Sequence, residues 1–303
     1  MQAIQEPASC SAEHIEGFIT HCTARNLSPN SVRAYRSDLR DFLEIVGSVP
    51  ITRNVVRAFA LRIGERGITA TSIYRKIAAV KTFCGWLESQ GLLDAGTVDS
   101  ITKPRRRQEL PDVPTEDEIR TLLDGEIKTA CPARDRLVLE LLYGCGLRVA
   151  ELAGINIEDF QGEDVLLVRG KGRKERLVIV GEYARRALNA WLKERDVLLK
   201  QFNLQTNAML FSVAPNRSEE RIDVRSVRRI LQSVAASKGL DPTKWHPHLL
   251  RHCCGTHMHD HDAPLQAVAA YLGHAKLSTA QIYTRVSVGR MMRIYKGAHP
   301  HAA

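Results

Sequence analysis

Thr97 to Pro114 follows neither a helical nor a strand period, and this break divides the chain into two stretches that must fold around separate cores. It contains Lys103-Pro-Arg-Arg-Arg107, whose charge and proline both oppose burial. A chain of 303 residues is long enough for two domains, each with its own core. The expected organisation is an N-terminal helical domain over 8–95, a basic linker over 96–113 and a second domain over 114–303.

Four amphipathic helices are expected in the first stretch. Ser11 opens one, with Ile15, Phe18 and Ile19 on one face. Ser28-Pro29 supplies an N-cap followed by proline at the first helical position, and Val32, Tyr35, Leu39, Phe42, Leu43 and Val46 form the stripe. Thr52 opens the third helix, and Thr71 opens a fourth that ends near Gly91. Arg33, Arg36, Arg40, Arg75, Lys76 and Lys81 fall off the apolar positions, where they form either a solvated face or one that meets a polyanion.

The second stretch mixes periods. Thr115-Glu-Asp-Glu118 is a capping box ahead of Ile119, Leu122 and Leu123. Helices are expected at 133–143, from about 147, at 182–202 and at 224–238. Val165–Val168 and Leu177–Val180 flank the basic turn Gly170-Lys-Gly-Arg-Lys-Glu175 and read as a hairpin. A helix from Pro247 puts His248 and Arg251 three residues apart on one face. Gly273 ends the following helix, and Ser278-Thr-Ala-Gln281 is a capping box that sets Tyr283 inside the next one.

Charge narrows the partners. The chain carries 43 Lys+Arg against 34 Asp+Glu, a net charge of +9, which favours a polyanion. The excess lies in the second stretch, since residues 1–100 hold 11 basic against 10 acidic side chains and residues 101–303 hold 32 against 24. No apolar run reaches the roughly 20 residues of a membrane span. Met1 to Cys10 has neither a basic start nor an apolar stretch, so no secretory signal is expected. The seven cysteines form no C-x-x-C pair and read as free thiols of a reducing cytoplasm.

Taken singly, Arg148, Lys171, His248 and Tyr283 each have an ordinary explanation: a helix-start ion pair, a solvated hairpin tip, a satisfied imidazole and a half-buried phenol. Their joint order is what matters. Gly144-Cys-Gly-Leu-Arg148-Val-Ala-Glu-Leu152, Gly170-Lys171-Gly172, His248-Leu-Leu-Arg251-His252, Leu272-Gly-His274 and Ser278-Thr-Ala-Gln-Ile-Tyr283 together resemble the motif set of the tyrosine recombinases. The compact loops and the ending Tyr295-Lys-Gly-Ala-His-Pro300-His-Ala are most similar to the bacterial Xer subgroup, its C type in particular.

That resemblance implies a two-domain, mainly α fold: a four-helix, SAM-like core-binding domain, then an α+β catalytic domain with a small antiparallel sheet. The two would grip opposite faces of DNA. Tyr283 is then the nucleophile that forms a 3′-phosphotyrosine. Arg148 and Arg251 neutralise the non-bridging phosphate oxygens, Lys171 protonates the leaving 5′ oxygen, and His248 and His274 hydrogen-bond the phosphate and manage the tyrosine proton. Glu151 is expected to buttress Arg148, and His252 to be a structural hydrogen-bonder beside the site. No cofactor, metal or ATP is implied.

Arg33, Arg36, Arg75, Lys76, Arg105 and Arg106 are candidate DNA contacts. The implied partners are a double-stranded recombination site, a sister recombinase or further copies of this chain in a tetramer, and a septal DNA translocase. The implied task is resolving chromosome or plasmid dimers at cell division, through a Holliday junction. The segment Arg290–Pro300 would dock on a neighbouring subunit.

Departures from the pattern are local: Cys253-Cys254-Gly255 after His252, and His259-Asp-His261-Asp-Ala-Pro264, where Asp262 is among the few residues that tolerate the left-handed region. Alternatives are an integrase or transposase of a mobile element, a metal-dependent hydrolase and a non-catalytic DNA-binding protein. Nine of the eleven histidines follow residue 245, and His257, His259 and His261 alternate with carboxylates, which motivates the metal reading.

Overall fold

Serine and threonine hydroxyls set the start of each of the first four helices of the chain. The computed structural model describes residues 10–97, 113–170, 175–213, 221–273 and 288–302. It divides into two compact units, 1–110 and 111–303. In the first unit α1 (Ala12–Ala24), α2 (Pro29–Val46), α3 (Arg53–Glu65) and α4 (Ala70–Ser89) are capped by Ser11, Ser28, Thr52 and Thr69. Each hydroxyl accepts the N–H three residues on, an interaction that stabilises a helix by about 1 kcal/mol. The fourth helix therefore starts two residues earlier than Thr71 suggests, because Thr69 takes the Ser72 N–H.

Phe18 packs edge-on or tilted against Tyr35, Phe83 and Trp86 within this unit. Asp38 of α2 is buried, and a buried carboxylate requires paired charge. Arg75 and Lys76 of α4 supply it, with Lys76 3.2 Å from Asp38 and also bonded to Asp41. Lys76, expected to contact DNA, has a side chain only 12% exposed and is paired with both carboxylates within the fold. Arg36 spends its fork on Glu16 at 2.7 and 3.1 Å, whereas Arg33 and Arg75 remain exposed. Arg105 and Arg106, with most of the expected linker, lie outside the described residues.

The second unit opens with the expected capping box, Thr115 and Glu118, at the head of α5 (Glu116–Leu123). Its core is built by α6 (Pro132–Tyr143), α7 (Val149–Gly154), α8 (Glu182–Phe202), α9 (Val224–Ser237), α10 (Pro247–Asp260) and α11 (Leu265–Leu272). Strands β1 (Val165–Arg169) and β2 (Glu175–Ile179) pair antiparallel, with Val168 opposite Arg176. The hairpin tip at 171–174 is outside the described residues. Among the described residues no helix is long and apolar enough to cross a membrane.

The last helix, α12 (Val288–Ala298), brings Tyr295, Ala298, His299, His301 and Ala302 into this unit's own core. In this single chain the segment expected to dock on a neighbouring subunit packs against its own catalytic unit. A glycine makes this possible, since a Cβ at Gly181 would lie 2.4 Å from the Tyr295 hydroxyl.

His299 stacks on Tyr295, accepts the His301 N–H at Nδ1 and meets the Tyr143 carbonyl with Nε2 at 3.3 Å. Both ring nitrogens are thus used by the neutral imidazole. Burial, then the charge of His301, holds its pKa down at about 3, and His257 and His261 act in the same direction. Glu140 faces the cluster through His301 Nδ1 at 3.0 Å. A folded pKa below the unfolded one gives stability that is present above pH ~6.5 and lost as pH falls towards the folded value. Amide protection factors over 288–302, which correct for the slowing of intrinsic exchange in acid, should therefore fall between pH 6.5 and 4 before those of the remaining core. Uniform protection across that range would contradict this account.

Candidate active site

The site grows from two tight crossings that only glycine permits. Gly146, at φ +57°, carries the chain from α6 into α7; a Cβ there would lie 2.6 Å from Leu272 Cδ2 and 3.0 Å from Cys254 Sγ. Gly273, at φ +66°, ends α11 as the sequence predicts, and its Cβ would meet Arg176 Cδ at 2.9 Å. The loop before α7 and the end of α11 are thereby brought against α10.

Arg251, one turn into α10, has a side chain only 7% exposed. Its fork donates to the carbonyls of Gly146 and Leu272, one from each crossing. Burial, then the charges of Arg148 and Arg176, lower its pKa to about 10, so it stays a cation at neutral pH. Arg148 stands at the N-cap of α7. It donates to Glu151 Oε1 at 2.8 Å and to the Gly273 carbonyl at 2.9 Å, and its backbone N–H donates to Glu151 Oε2. Two guanidiniums on separate elements are thus fixed by main-chain acceptors around one loop crossing.

Glu151 buttresses Arg148 as expected, and it also receives Arg176 of β2 through two hydrogen bonds of 2.8 Å. Burial pushes its carboxyl up, but the bonds from Arg176 and the Arg148 N–H outweigh this and hold its pKa down at about 2. Sequence reasoning missed Arg176. The signal was its register opposite buried Val168, which puts a cation on the core face of the hairpin and demands a carboxylate there.

His248 lies exposed one turn before Arg251 on α10. His246, which drew no separate role from the sequence, caps α10 by accepting the Leu249 N–H at Nδ1. Burial and the charges of His248 and Arg228 lower its pKa, which keeps that acceptor unprotonated. His252 is exposed and makes no hydrogen bond to a described residue, so its expected structural bond is not seen. Lys171, His274 and Tyr283 lie outside the described residues.

Among the described residues no three His, Cys, Asp or Glu side chains form a group that could hold a metal ion. Both nitrogens of His257 are used, by the Tyr143 hydroxyl and the Pro114 carbonyl, while His261 pairs with Glu116 at 2.6 Å. Asp262 adopts φ +63°, the left-handed conformation expected of it. All seven cysteines are free and buried.

Comparison with known proteins fits this architecture. The phage integrase family matches residues 113–290, and the phage integrase N-terminal SAM-like domain matches residues 15–91. The chain belongs to this family, the tyrosine recombinases, and is a site-specific DNA recombinase. It is 35% identical over 295 residues to the tyrosine recombinase XerC of Alcanivorax borkumensis, covering 95% of this chain and 94% of the relative. In fold it is similar to a lambda integrase dimer bound to a COC′ core site (TM-score 0.68, 16% identity, 87% of this chain and 94% of that one). It is also similar to the XerH recombinase bound to its difH substrate before cleavage (TM-score 0.66, 21% identity, 91% of this chain and 82% of that one).

Proposed function

We propose that this recombinase resolves chromosome or plasmid dimers at cell division, with Tyr283 as nucleophile and Arg148, Lys171, His248, Arg251 and His274 as its catalytic partners. The observation that carries the assignment is the pair Arg148 and Arg251, held by main-chain carbonyls and a buried carboxylate. Such a preorganised pair suits a phosphodiester that gains negative charge as it is attacked. The Tyr283 oxygen forms a bond to phosphorus as the bond to the 5′ oxygen breaks. The phenol proton passes to a histidine, and Lys171 gives a proton to the leaving oxygen. The phosphotyrosine conserves the bond, so a second strand can reverse the step without ATP.

Arg33, Arg75, Arg105 and Arg106 are the cations we propose to meet the DNA backbone, with Arg36 contributing what Glu16 leaves free. The working unit is a tetramer on two recombination sites, formed with a sister recombinase or with further copies, in the cytoplasm. A septal DNA translocase is the proposed trigger. The test is a plasmid dimer carrying two direct copies of the host chromosome's recombination site, incubated in EDTA with the sister recombinase. Monomers should appear with the wild type and not with Arg148→Ala. Exchange confined to a mobile element's attachment sites would replace dimer resolution by the integrase reading.

A further inference from the structure

We propose that Arg176 is a positioning residue for strand cleavage: it offsets the charge of Glu151, so that Arg148 and Arg251 present their full positive charge to the scissile phosphate. The inference rests on the reading of Arg148 and Arg251 as phosphate ligands. Glu151 is needed to orient Arg148, taking both its Nη1 and its backbone N–H. Its second oxygen also lies 4.0 Å from Arg251. A carboxylate among phosphate ligands is a liability, because it repels the substrate and dilutes the charge meant for it.

Arg176 answers that charge from the opposite side. Both terminal nitrogens of its fork are spent on Glu151, at 2.8 Å each. Its side chain is 15% exposed and lies beneath Gly273, where a Cβ would come within 3.1 Å of Nε. That Nε is buried with no hydrogen-bond partner, so the fork is committed to the carboxylate at the cost of one orphaned donor. An arginine so covered acts through Glu151 and not by touching DNA. Three guanidiniums around one carboxylate leave a net of two positive charges, matching the two negative charges of a phosphodiester attacked by a phenolate. Without Arg176 one would remain. At close range in a partly buried site, one unit charge is worth about 10²-fold in rate.

The test is single-turnover cleavage of a nicked duplex by the full chain, with DNA half-saturation and thermal melting measured in parallel. Arg176→Met should slow cleavage about 10²-fold with half-saturation changed less than about threefold. Arg176→Lys, which keeps the charge and loses the fork, should slow it about tenfold or less. The decisive variant is Arg176→Met combined with Glu151→Gln, which restores the net of two charges and retains an acceptor for Arg148. It should cleave at least tenfold faster than Arg176→Met. A double variant no faster than Arg176→Met, while both melt as folded proteins, would overturn charge compensation and leave Arg176 a packing residue. Arg251→Ala run alongside separates the two levels: if it cleaves like the wild type, the phosphate-ligand reading itself fails.

Discussion

Arg251→Ala is expected to slow strand cleavage by at least about 10³-fold, and to lower stability by about 2–4 kcal/mol. The two losses have different origins. The guanidinium bridges the Gly146 and Leu272 carbonyls, which become buried acceptors without a donor when it is removed. Cleavage loses a cation whose position is fixed before DNA arrives, so nothing reorganises to replace it. Arg251→Lys separates the effects. A single ammonium cannot span two carbonyls and still present a fork to a phosphate, so cleavage should remain at least about 10²-fold down even where part of the stability returns. Single-turnover rates and melting curves measured on the same preparations check both. Cleavage within tenfold of the wild type by Arg251→Ala would contradict the assignment.

The elements legible in the sequence were those governed by local chemistry. The Thr115 capping box, the proline after Ser28, Gly273 at the end of α11 and Asp262 in the left-handed region all follow from short-range rules, and the structure has each of them. The pair Arg148 and Glu151 is also local, three residues apart at a helix start. Non-local partners were much harder to read. Arg176 reaches Glu151 across 25 residues of sequence, and only the strand register reveals that it faces inward.

Lys76 is a second case of partners hidden from the sequence. Its spacing off the apolar stripe marked it as a surface cation, but the partners that neutralise it, Asp38 and Asp41, sit on another helix. Gly255, noted only as a departure from the family pattern, makes room for Leu272, whose Cδ1 would lie 2.8 Å from an added Cβ. The C-terminal histidines, suggestive of metal in one dimension, have other partners in three: His299 and His301 bond each other and pack on Tyr143, His301 also bonds Glu140, and His261 bonds Glu116.

The central claim is that Tyr283 joins DNA through a 3′-phosphotyrosine, and trapping on a nicked suicide duplex tests it most directly. The duplex carries a recombination site, the sister recombinase is supplied where needed, and EDTA is present throughout. Loss of the small 5′-hydroxyl fragment beside the nick prevents religation, so a cleaved complex accumulates. The wild type should give a covalent protein–DNA band whose tryptic peptide carries the nucleotide on Tyr283, with Tyr283→Phe giving none and still binding the duplex. A band that persists in Tyr283→Phe, or one that EDTA abolishes, would contradict the account and return the chemistry to another nucleophile or to a metal.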